Sequence, residues 1–171
     1  MTFEISPETL QEYGEVYETL EHILSTIEMS FASANVPLPD RRFTAVGDVG
    51  ASVAVDCAQL NVNFVQSYFG NPGQPTPQAT GCMMLMSGDF VIQLWRCVPA
   101  PKLTQNKKYI PPDVNKIEAS TLVQSVDGQI LLQSAWAMTS AQPRKALVSA
   151  TGSQGAYQAM QLSLNISLSR G

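Results

Sequence analysis

Two strand-like segments that enclose a loop of prolines and glycines, within residues 56–99, constrain this chain more than any other feature. In the first, running from Asp56 and Cys57 to Val65, Leu60, Val62 and Phe64 alternate with Gln59, Asn61 and Asn63, which is the period of a half-buried strand. The second, Phe90 to Pro99, is apolar on both faces for most of its length and reads as a central strand. Between them, Phe69-Gly70-Asn71-Pro72-Gly73-Gln74-Pro75-Thr76-Pro77 removes ladder donors at each proline and permits positive φ at each glycine. No strand is expected to continue through it, so 70–80 is predicted to be a wide, exposed loop and an assembly surface.

The remaining elements follow from periodicity. Ser6-Pro7-Glu8 has the chemistry of a helix start, with a capping oxygen, a proline needing no donor and an acid at the positive end of the dipole. Leu10, Tyr13, Val16, Tyr17, Leu20, Ile23, Leu24 and Ile27 then recur at helical spacing, opposite Glu8, Glu12, Glu15 and Glu18, predicting an amphipathic helix over about 6–30. Residues 36–55 are rich in Pro, Gly, Asp and Arg and read as a loop, with Val53 and Val55 leading into the first strand. Cys82 to Met86 begins the second strand, and Ser87-Gly88-Asp89 marks a turn or bulge before Phe90. Asp113 is a plausible cap for a helical region over about 113–141, ended by Pro143. A rival hairpin stays open there, because Asp127-Gly128 is a strong two-residue turn signal. The last segment, 156–169, alternates cleanly: Met160, Leu162, Leu164, Ile166 and Leu168 against Gln161, Ser163, Asn165, Ser167 and Ser169. Its uncharged polar face would suit a lumen, a neighbouring subunit or plain solvent.

At 171 residues the chain fits one domain, which buries about 70% of its unfolded surface and needs no staple. The expected architecture is α+β, an antiparallel or mixed sheet flanked by a long N-terminal helix and a second helical region. Charged residues make up only 14%, against about 25% in a typical domain. That shortfall fits a surface hidden in stable subunit contacts, or a neutral surface of Ser, Gln and Asn. A net charge of −4, with basic residues clustered only as Arg41-Arg42, Lys107-Lys108 and Arg144-Lys145, argues against sequence-independent DNA binding. No apolar run approaches the length of a membrane span or forms a signal peptide. Three widely spaced cysteines, Cys57, Cys82 and Cys97, are expected to be free thiols in a reducing cytoplasm.

Enzymatic chemistry finds little to work with. The single histidine, His22, falls among the glutamates of the first helix, and there is no Cys-x-x-Cys for a metal. Gly47-Asp48-Val49-Gly50 is too short to imply a phosphate loop, and Gly152-Ser153-Gln154-Gly155 reads as a turn. No catalytic, metal or cofactor residue is assigned.

At Asp56-Cys57-x-Gln59-Leu60, the Pro72-Gly73 turn, Arg96-Cys97-Val98-Pro99 and Ala135-Trp136-Ala137, the chain resembles the tail terminator proteins of long-tailed phages that infect actinobacteria. The layout is matched from the first helix to the C-terminus, although Asp127-Gly128 departs from a clean helical pattern. The resemblance implies a structural virion protein, a hexameric ring at the head-proximal end of the tail tube that ends tube polymerisation and offers a docking face to the head. Its implied partners are copies of itself, the major tail tube protein and a head-side stopper or connector protein, with DNA passing through the lumen without specific binding and no membrane. Asn71, Pro72, Gly73, Gln74 and Pro75 with Gln161, Ser163, Asn165 and Ser167 are the candidate interface residues. Another neck component, a stopper or head-completion protein, would share these features, and a small hydrolase or ligand-binding domain is the reading from a different class.

Overall fold

The computed structural model describes residues 6, 14–47, 58–75, 86–138, 144–150 and 157–168. They form one α+β domain in which a mixed sheet carries both helices on the same face. The strands are β1 (Arg41–Val46), β2 (Gln59–Asn71), β3 (Gln74–Pro75), β4 (Met86–Cys97), β5 (Lys102–Leu103), β6 (Tyr109–Ile110), β7 (Arg144–Ala150) and β8 (Tyr157–Ser167). The helices are α1 (Glu15–Ser33) and α2 (Val114–Ala137). The main sheet runs β1-β2-β4-β8-β7, with β1 parallel to β2 and every other neighbour antiparallel, while β5 and β6 pair separately.

Leu20, Ile23, Ile27 and Phe31 follow one another at three or four residues along α1, and all are buried. Each contributes about 1.5–3 kcal/mol of burial. Tyr17, expected in that stripe, is instead exposed. The helix ends at a Schellman motif: Val36 N–H donates to Phe31 O, Asn35 N–H donates to Ala32 O, and Asn35 takes φ +54. Proline at 37 and 39 then prevents any continuation. The expected start at Ser6-Pro7-Glu8 falls mostly on residues outside those described.

The loop expected over 36–55 is corrected by β1, an edge strand that pairs with β2 from Arg41↔Gln59 to Val46↔Phe64. Its sequence carries no apolar alternation, so its order comes from partners: the β2 ladder, an ion pair of Arg42 with Glu28 at 3.3 Å, and Thr44 Oγ1 donating to Glu21 at 3.1 Å. Val53 and Val55 lie outside the described residues.

A second correction concerns Ser87-Gly88-Asp89. These residues lie inside β4 and pair with Tyr68, Ser67 and Gln66 on one side and with Ser167, Ile166 and Asn165 on the other. The irregularity is on the facing strand, between Phe64 and Gln66, where Val65 is the extra residue. That insertion swaps the parity of β2, so Gln66 and Tyr68 join the face occupied earlier by Asn61 and Asn63. Gly88 is explained by packing, since a Cβ there would lie 2.9 Å from Leu168 Cδ1 and 3.0 Å from Phe90 Cε2.

The wide loop at 70–80 is also corrected over its described part. β2 continues to Asn71, and Gln74–Pro75 fold back on it, Gly70 opposite Pro75 and Asn71 opposite Gln74. Pro72-Gly73 makes the two-residue turn, with Gly73 at φ +73, the proline-then-glycine chemistry of a type II turn. Residues 76–80 are outside the described set.

α2 passes unbroken through Asp127-Gly128, so the rival hairpin does not form. Asp113 caps it, accepting from Asn115 N–H at 3.0 Å. The two turn-like residues attach the helix to the sheet. The Asp127 carboxylate, 0% exposed, receives Arg96 Nε–H and Nη2–H at 2.8 Å each, and the same guanidinium donates to Pro37 O at 3.0 Å. Gly128 lets the helix backbone approach, because a Cβ would sit 2.6 Å from Met160 Cε. The core is then closed by Ile130, Leu131 and Ala135 of α2 over Leu162 and Leu164 of β8, continuous with α1 over Leu60, Val62, Phe90, Ile92 and Leu94. β7, which carries no clear periodic signal and was not anticipated, completes the far edge by pairing Arg144↔Ile166 through Ala150↔Met160.

Candidate functional site

Because both helices lie on the Leu/Ile face, the opposite face of the sheet is left to the polar residues of the same strands. Asn61, Gln93 and Gln161 stand directly across from one another on β2, β4 and β8. Their amides form a chain: Asn61 Nδ2–H donates to Gln93 Oε1 at 3.2 Å, Gln93 Nε2–H to Gln161 Oε1 at 3.3 Å, and Gln161 Nε2–H to Ser163 Oγ at 3.4 Å. On β8, whose polar side was expected to suit a lumen, a neighbouring subunit or solvent, Gln161, Ser163 and Asn165 are half-buried, while on the adjoining strands Asn61 is 0% exposed and Asn63 and Gln93 are buried. Among the described residues, Asn61 Oδ1, Asn63 Oδ1 and Trp95 Nε1 are buried without a hydrogen-bond partner.

Towards the β2–β3 turn the same face carries a second cluster. Asp89 accepts from Gln66 Nε2–H at 2.8 Å and from Asn165 Nδ2–H. Burial raises the Tyr68 phenol above the usual tyrosine value; the hydrogen bond from Gly73 N–H, at 2.6 Å, works against this, while the hydrogen bond to Asp89 and its charge add to it. Gly73 in turn lies over β7 and β8, since a Cβ on it would be 3.3 Å from both Asn165 Oδ1 and Lys145 Cδ.

The structure therefore brings the 71–75 turn and Asn165 together on one face. Asn71, Gly73, Gln74 and Pro75 are exposed, Pro72 half-buried, and Gln161, Ser163 and Asn165 half-buried. Ser167 is corrected: it is buried opposite Ser87, whose hydroxyl donates to Gly70 O at 2.7 Å, so it presents nothing to a partner.

Sequence reasoning missed a larger surface. The first three turns of α2 and the β5–β6 hairpin leave their apolar side chains in solvent, with Val114 65%, Leu122 67% and Tyr109 70% exposed, and Leu103, Ile110, Ile117 and Val123 also exposed. α2 stands off the sheet here. One flank opens on a cleft of about 280 Å³ between Ile117, Thr121 and the Val98 to Pro101 segment, and the other on a cleft of about 370 Å³ lined by Ala58, Cys97, Ala119 and Val123. The signal available in the sequence was the lack of a single apolar stripe. Ile117, Leu122, Val123, Leu131, Leu132 and Trp136 point to several sides of α2, a pattern that suits a helix covered on more than one side.

No family model and no curated protein matches this sequence.

Other chemistry is sparse. His22 is exposed on α1, and among the described residues no three His, Cys, Asp or Glu lie together as a metal site would require. Among the described residues no helix is long and apolar enough to cross a membrane. Cys97 is disulfide-bonded, which corrects the expectation of three free thiols; Cys57 and Cys82 lie outside the described residues. Disulfides persist in oxidising surroundings. The cysteine count therefore no longer argues for a reducing compartment, which was the ground on which free thiols were expected.

Proposed function

We propose that this chain is a structural subunit of a phage tail, closing as a six-membered ring on the head-proximal end of the tail tube and acting as its terminator. The observation that carries the reading is the apolar surface made by the first half of α2 and the β5–β6 hairpin. Large apolar side chains exposed together on one part of a fold mark a surface for a partner. The low charge fraction and the resemblance to actinobacteriophage terminators support the same reading. The ring would meet the tube protein on one side and a head-side stopper or connector on the other, with the 71–75 turn and the Gln161, Ser163 and Asn165 side of β8 as further contact residues. DNA would pass through the lumen without specific binding, and the work is association, with no catalytic step.

The mechanism is heterologous association that closes on itself. Each tube ring exposes the surface that the next one binds, so growth continues until a subunit binds that surface without regenerating it. Particles made without this protein should show filled heads unjoined to tails, and tails of abnormal length by electron microscopy. Tails of normal length in the deletion mutant would favour a head-side stopper or completion protein. Complete infectious particles would exclude both.

A further inference from the structure

The apolar surface described above is also basic. Residues 102–124 hold Lys102, Lys107, Lys108 and Lys116 against two acids, Glu118 and Asp113, the latter engaged as the α2 cap. By contrast the first forty residues of the chain hold eight acids and no Lys or Arg. On the flank of α1 away from β1, Glu15 and Glu18 line an open groove of about 260 Å³ together with Thr19, His22, Ile23, Met138 and Ile166.

The two surfaces are far apart on one molecule. The groove includes Met138, just past the C-terminal end of α2, whereas the arm is built on its N-terminal end. The stretch of α2 from residue 124 to Met138 separates them by about 21 Å at 1.5 Å per residue. The arm therefore cannot fold back onto its own acidic groove. The first turns of α2 also lack packing of their own, and a helix of about 12 residues is marginal in water unless something covers it.

We propose that the arm of residues 102–124, the β5–β6 hairpin with the first turns of α2, docks on the α1 groove of a second copy of this chain, its lysines against Glu15 and Glu18 and its apolar residues against the groove wall. This rests on the ring reading and specifies the contact that closes it. Donor and acceptor are different patches at opposite ends of the subunit, which is the arrangement that generates rings. An arm of this length also matches the roughly 20–30 residues a side that a stable interface employs.

A charge-swap pair tests the contact. Variant one carries Lys107→Glu and Lys108→Glu; variant two carries Glu15→Lys and Glu18→Lys. Each full-length variant alone should sediment as a monomer while keeping the circular dichroism spectrum of the unaltered protein, because every arm then meets a groove of its own sign. An equal mixture should regain the assembly, since alternating copies restore opposite charge at every contact of an even-numbered ring. Wild-type assembly by either variant alone, or no association in the mixture, overturns the proposal. A benzoylphenylalanine placed at Tyr109 gives an independent reading: irradiation should join it to residues 15–33 of another copy, and cross-links elsewhere or none at all overturn the contact. If these fail while virion images still show a ring, the contact is wrong and the ring reading stands. A single copy in the virion removes the ring reading itself.

Discussion

Breaking the Arg96–Asp127 pair should expose how α2 is held to the sheet. The two hydrogen bonds are both 2.8 Å, and the side chains are 18% and 0% exposed respectively. Removing one member of a buried pair costs about 3–5 kcal/mol, because the other charge is left without compensation. The burial is asymmetric, so the costs should be too. Arg96→Met strands a carboxylate with no access to water and also removes the donor to Pro37 O, so it belongs at the upper end. Asp127→Asn keeps an acceptor beside a guanidinium that still reaches solvent, and should cost about 1.5–3 kcal/mol, the range for a hydrogen bond to a charged group. For a chain of this size each kcal/mol moves the melting temperature by about 2–4 °C. Arg96→Met should therefore lower it by roughly 10–20 °C and Asp127→Asn by roughly 3–12 °C. The double variant Arg96→Met/Asp127→Leu should lose much less than the sum, since an apolar pair of similar volume often replaces a buried ion pair at little cost. Urea unfolding of these proteins and of the Asp127→Leu single variant, followed by circular dichroism, gives the cycle. Additive single effects, or a larger loss from Asp127→Asn than from Arg96→Met, would refute the reasoning.

Three further outcomes are expected. Gly73→Ala should destabilise by about 1–3 kcal/mol, because it places a Cβ at positive φ and presses it against Asn165 and Lys145; an unchanged urea midpoint would show that the turn relaxes freely. Tyr68 should ionise above the usual tyrosine value of about 10. Its folded pKa being the higher one, its contribution to stability is intact below that value and is lost as pH rises through the raised one, so the Tyr68→Phe variant should show a shallower alkaline loss of stability; identical alkaline unfolding curves would contradict the assignment. Cys97 should resist alkylation under denaturing, non-reducing conditions and react once reduced; full alkylation without a reductant would refute the disulfide.

Elements with their own periodic signal were legible, and those held by neighbours were not. The apolar stripe of α1 and the alternation of β8 each encode burial in their spacing, so element type and buried face follow without reference to the rest of the chain. β1 and β7 are sheet edges. Their order derives from ladders with β2 and β8, and their sequences need no alternation. Within the candidate interface, an interruption at Pro72-Gly73 was readable from its residue chemistry, but the tight turn that returns Gln74–Pro75 onto β2 and its closure onto Asn165 were not. The burial of Ser167 and the exposed arm were also beyond a sequence reading, because exposure depends on which faces the packing leaves uncovered.

What the amino-acid sequence determined by itself was the α+β class, the helix that opens the domain, the central place of 90–97 and the scarcity of charge. Local steric rules and the two periods of 3.6 and 2 are properties of consecutive residues, so no neighbour is needed to apply them. Only the tertiary structure decided that Asp127-Gly128 would tie a helix to the sheet instead of turning a hairpin. The turn propensity of that pair is a preference of about 1 kcal/mol, whereas the ion pair with Arg96 and the close approach to Met160 act on the same two residues from strands far away in sequence.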